Sequence, residues 1–148
     1  MKLVPLLLAT GAAAVLAGTA SAAAVAGPSC NLASAKRVKS ALGLTVASPS
    51  VTKNGPVTVC LFTSSRPLLV RFETNETASL FAFGRKSFGQ HGEPTKTVKG
   101  LGTQAYSSSI GSTSNTIVVL KNKTELLITA DEPPAKLEAL ATLILPSL

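Results

Sequence analysis

Two cysteines, Cys30 and Cys60, stand behind a leader with no charge between Lys2 and Lys36. No other feature restricts the fold as much. Lys2 supplies a positive start, Leu3 to Leu16 is an apolar run, and small residues follow. Ala20-Ser21-Ala22 and Ala24-Val25-Ala26 offer Ala-x-Ala cleavage choices. Residues 1–26 are therefore expected to be a secretory signal peptide, leaving one secreted domain over residues 27–148. In an exported chain an even cysteine count reads as a disulfide, and two cysteines allow one pairing. Closing a loop of about 30 residues stabilises a fold by roughly 3–4 kcal/mol in the chain-entropy model.

Two other fates for the leader fit less well. A membrane span needs about 20 strongly apolar residues, and here the Leu-rich part dilutes into Gly, Ala, Ser and Thr. No transmembrane anchor is expected after cleavage. Lipidation of Cys30 wants an aliphatic residue three positions earlier and a small one just before it. Ser29 suits the second demand, but Gly27 and Pro28 are poor.

Beyond the leader, hydrophobic period and turn chemistry divide the chain. Ser34 is a helix cap, Val38 and Leu42 share a helical face, and Gly43 is a stop, which predicts a helix over 35–42. Leu44 to Val46 suits a short strand. The prolines and glycine of 48–56 indicate a loop. Val57 to Thr63 and Leu68 to Thr74 form a hairpin across Ser64-Ser65-Arg66-Pro67. In the second arm Leu68, Val70 and Phe72 point one way and Arg71 and Glu73 the other. A second helix runs from Thr77 to about Phe88, with Leu80, Phe81 and Phe88 as its apolar contacts, and 89–99 reads as a loop. Strands follow near 104–108, at 116–120 and at 125–130, the last two joined around Asn122. Leu137, Leu140, Ala141 and Ile144 fall at i, i+3, i+4, i+7, giving a last helix opened by Pro133-Pro134 and ended by Pro146. The expected fold is α+β: an antiparallel sheet of about five strands covered by three helices.

Fourteen basic residues less Lys2 leave 13 against 7 acidic ones, net +6. The pairs Arg85-Lys86, Lys96 with Lys99, and Lys121 with Lys123, together with the Lys36-Arg37-Lys39 group, form no single run. Attraction to an anionic envelope component is one reading and an ordinary solvated exterior another. Nucleic acid is not an expected partner: export separates the two, and no Trp and a single Tyr leave little to stack on bases.

These motifs resemble a group of small exported and lipoprotein domains of actinobacteria, mostly of unknown function. The resemblance rests on Cys30, the helix ending Ala41-Leu42-Gly43, Cys60 in a strand, the step Gly100-Leu101-Gly102-Thr103-Gln104-Ala105, and the closing hairpin and Leu/Ala helix. It covers nearly all of residues 27–148. It implies a PsbP-like sandwich of antiparallel sheet and helices, and it carries no catalytic residues. Many members are lipidated at the first cysteine, where this chain departs from the pattern.

Catalytic equipment is sparse. His91, the single imidazole, lies in the polar stretch Gln90-His91-Gly92-Glu93, where Glu93 could pair with it. Ser107–Ser109 and Ser112–Ser114 lie in no Gly-x-Ser-x-Gly elbow. Glu73 and Glu76 could act as paired carboxylates but read as solvated surface. Cys30, Cys60 and His91 are too few ligands for a closed zinc site. No cofactor is expected. The expectation is a non-enzymatic exported binding module with an unknown protein or anionic envelope component as partner. A carrier of an apolar small molecule or lipid lined by Phe62, Phe72, Phe81, Phe83 and Phe88 is the alternative, and a small hydrolase using His91 the remaining one.

Overall fold

The computed structural model describes residues 27–91 and 94–148. The expected signal peptide lies outside the described residues. A short 3-10 turn, Cys30–Ala33, leads into α1 (Ala35–Leu42). Then come β1 (Ser50–Asn54), β2 (Val57–Phe62), β3 (Leu68–Thr74), α2 (Ala78–Gln90), β4 (Thr95–Thr97), β5 (Gln104–Ile110), β6 (Ser114–Lys121), β7 (Thr124–Ala130) and α3 (Pro134–Ile144). The strands form one antiparallel sheet in the order β1-β2-β3-β7-β6-β5-β4.

The sheet has seven strands, where about five were expected. The additional two, β1 and β4, are its edges. All five β1 residues are solvent-exposed, so no buried face imprints an alternating pattern on them, and flanking Pro49 and Gly55-Pro56 give them the look of a loop. They are strands because β2 offers a free row of backbone donors and acceptors. β4 is three residues long and pairs only with β5. Conversely, Leu44 to Val46 is no strand: Leu44 and Val46 are buried, but no ladder partner runs beside them.

Period-2 burial orders the central strands. Leu68, Val70 and Phe72 lie on one face with Cys60, Phe62, Ile117, Val119, Leu126 and Ile128, and α1 and α3 cover that face. α1 is held at both ends: Ser34 Oγ accepts the Arg37 N–H, and Gly43, in the left-handed region, donates to Lys39 O. Lys136 of α3 donates through Nζ to Leu42 O at 3.1 Å, which fixes the two helices to each other. Cys30 and Cys60 form a disulfide with Cα atoms 5.7 Å apart, tying the chain ahead of α1 to β2. A thiol engaged in that bond is closed to thioether formation. The β6–β7 link is a two-residue turn with Asn122 and Lys123 both at positive φ, matching the twist of the hairpin.

The opposite face is only half covered. α2 lies over β5 and β6, packing on Tyr106, Val118 and Leu120, with Leu127 of β7 at its margin. Among the described residues no helix covers β1, β2 and β3 on that side.

Candidate functional site

The uncovered half-sheet and the helix beside it form the most distinctive surface of the molecule. Thr77 starts α2 by accepting the Leu80 N–H at 3.2 Å. From there Phe81 and Phe88 reach inward and meet the Tyr106 ring edge-on, with centroids 5.3 and 5.8 Å away. Arg85 lies 5.7 Å over the same ring and donates to Thr95 Oγ1 at 3.2 Å and Thr97 Oγ1 at 2.9 Å, joining α2 to β4. These anchors set the helix rotation. Leu80, expected to pack inward, is 54% exposed, and Phe83 is 72% exposed. The spacing explains the outcome: at about 100° per residue, Phe83 lies nearly opposite Phe81 and Phe88 on the helix circumference.

Beside α2, the register places Leu61, Leu69 and Thr129 in one cross-strand row and Val59, Arg71 and Leu127 in the next. Leu61 is 45% exposed, while Val59, Leu69 and Leu127 are half-buried. A charged row borders this apolar surface. Arg71 forms ion pairs with Glu125 across the β3–β7 ladder and with Glu73 at 3.3 Å. Among the described residues, Arg71 Nε is the buried side-chain nitrogen left without a hydrogen bond. Burial raises the Glu125 carboxyl above its ordinary range, and Arg71 opposes the shift. Glu76 is raised by burial, by Glu125 and by Glu73. Tyr106 is raised by burial and by Glu125. Glu76, expected as solvated surface, is 7% exposed and its N–H donates to Lys123 O at 2.9 Å; Glu73 is half-buried and tied to Arg71.

On its other flank α2 bounds two shallow clefts. One, of about 470 Å³, is lined by Phe81, Ala82, Arg85, Lys86, Thr95 and Gln104 among others. The second, of about 320 Å³, shares Phe81 and Arg85 and adds Lys99. Among the described residues no carboxylate lines either cleft.

The remaining sequence candidates are dispersed. His91 is exposed at the end of α2, its Nδ1 2.8 Å from Ser87 O. Ser108 Oγ donates to Pro94 O and Ser109 Oγ to Asn115 Oδ1. Phe62 and Phe72 fill the α1/α3 core, Phe81 and Phe88 the Tyr106 cluster, and Phe83 meets solvent, so the five phenylalanines line no common cavity. The Arg71–Glu125 pair was not foreseen, because nothing local says that β3 neighbours β7. Phe83 was findable from the helical wheel. Among the described residues no three of His, Cys, Asp and Glu gather as a metal site, and no helix is long and apolar enough to cross a membrane. Comparison with protein families, with curated proteins and with solved structures finds no match for this chain.

Proposed function

We propose that this chain is an exported, non-enzymatic binding module of the cell envelope that uses the uncovered half-sheet beside α2 to hold a partner protein. The half-sheet carries the reading: Val59, Leu61 and Leu69 form an apolar patch that no helix among the described residues covers, with Arg71 and its partner Glu125 at its edge. Such a surface, apolar within and charged at the rim, has the anatomy of a protein interface. The Cys30–Cys60 disulfide suits an oxidising compartment. The resemblance to exported actinobacterial domains, some with a PsbP-like sandwich, supports the same setting.

Site-specific photo-crosslinking tests it. A photoreactive residue at position 61, in protein made by exporting cells, should trap a covalent adduct. The same residue at exposed Lys39 on α1 should trap none. Equal yields at the two positions, or no adduct at 61 or 69, would refute the reading.

A further inference from the structure

A second surface of the molecule has a different chemistry. α2 has one buried side chain, Phe81, whereas Leu80 and Phe83 point into solvent, Phe83 more than any other large apolar side chain among the described residues. An exposed phenylalanine on a helix held rigidly by Phe81, Phe88 and Arg85 gains nothing for the fold. Charge is also concentrated here. α2 itself carries Arg85 and Lys86 and no acidic residue, and Lys99 lies beside it. The clefts on the flank of that helix bring Lys86 and Lys99 to the two sides of Arg85. Neither lysine forms an ion pair among the described residues, although Glu73, Glu125 and Glu132 are all paired. Exposed Leu and Phe flanked by unpaired cations is the composition of a helix that lies in a membrane interface, its apolar side chains among the acyl chains and its lysines among the headgroups.

We infer that α2 docks the protein on an anionic phospholipid bilayer, with Leu80 and Phe83 entering the interface and Lys86, Lys99 and the clefts beside Arg85 meeting the lipid phosphates. This gives a chemical identity to the anionic envelope component expected from the sequence. It also complements that function, because the uncovered half-sheet lies on the other flank of α2 and stays open to a partner. An anionic wall polymer would match the cations but would have no use for the two apolar side chains.

Flotation with lipid vesicles tests it, using protein purified from the medium of an exporting culture. Binding is expected to mixed phosphatidylglycerol–phosphatidylcholine vesicles, to weaken as salt rises, and to be absent from phosphatidylcholine alone. Phe83→Ala should weaken binding about tenfold. Lys86→Gln combined with Lys99→Gln should weaken it about 30-fold at low salt. Lys53→Gln, on the opposite edge strand β1, should change nothing. All these side chains are exposed, so the variants should melt with the parent, and a variant with a lowered melting temperature is replaced by Phe83→Ser or by Lys86→Gln alone. Equal binding to both vesicle types, or loss of binding with Lys53→Gln as large as with the α2 variants, would overturn the inference. So would retention on an anionic polymer column without any vesicle binding. That last result would leave the crosslinking reading of the half-sheet intact, since position 61 reports on a different surface.

Discussion

Gly102 offers a demanding test of the architecture. Its φ is +56°, and a Cβ built there would press inside contact distance of the Leu120 carbonyl oxygen and Val119 Cγ1. The neighbouring Thr103 N–H donates to Leu120 O at 2.7 Å, so the loop is held against β6 at the point of contact. Gly102→Ala therefore carries two penalties. Left-handed backbone costs an L-residue about 1–2 kcal/mol, and overpacking against a central strand adds about 1–3 kcal/mol. Restricting the unfolded chain returns about 0.4–1 kcal/mol, leaving a net loss of roughly 2–4 kcal/mol. Gly43→Ala is the control. Its φ is +74°, but nothing lies within 4 Å of the added Cβ, so only the backbone strain applies and the net loss is about 1 kcal/mol. Urea unfolding of the oxidised protein, followed by far-UV circular dichroism because the chain has no Trp, should give a clearly larger midpoint shift for Gly102→Ala at unchanged m. Equal losses in the two variants would show that the loop does not approach β6 as described.

Two further expectations concern the covalent and ionic ties. Non-reducing mass spectrometry should find Cys30 bonded to Cys60, and Cys60→Ser should lower stability by roughly 2–4 kcal/mol; free thiols on both residues in native protein would refute this. Glu132 bridges Arg66 of the β2–β3 turn at 2.7 Å and Lys136 at 2.8 Å, and its carboxyl is held below the ordinary range chiefly by the Lys136 hydrogen bond. A lowered folded-state value means stability present above the unfolded carboxylate range and lost as pH falls through the folded one. Glu132→Gln should thus cost about 1–2 kcal/mol at neutral pH, discounted because both cations are half-exposed, with parent and variant converging in acid. Glu76 and Glu125 act in the opposite sense, their raised values favouring the folded state on protonation, but both are present in parent and variant and cancel in the difference, so a gap that persisted in acid would refute the role given to Glu132.

Much of this fold is legible in the sequence where one side of an element faces the core. Leu68, Val70 and Phe72 announce their strand by alternation, and Leu137, Leu140, Ala141 and Ile144 announce α3 by helical spacing, and all seven are buried. Elements without a buried face leave no such trace. β1 exists through backbone pairing alone, and β4 is three residues of an edge. The candidate surfaces were harder still. Whether Leu61 and Leu69 are covered depends on where α2 lies, and that is set by Tyr106 and Arg85 across the sheet. The Arg71–Glu125 pair follows from the β3–β7 register, a pairing of segments more than fifty positions apart that no local pattern encodes.

The disulfide also determines how the domain responds to tension. A pull arriving along the chain from the Gly27 side reaches Cys30 and passes straight through sulfur into β2. β2 is laced to β3, so the load falls on that ladder. Everything between the cysteines, α1 and β1 included, is bypassed and bears no load. That is roughly 100 Å of contour withheld from extension while the bond is intact and released when it is reduced, so a thiol reductant lengthens the reach of the stretched molecule without changing its sequence.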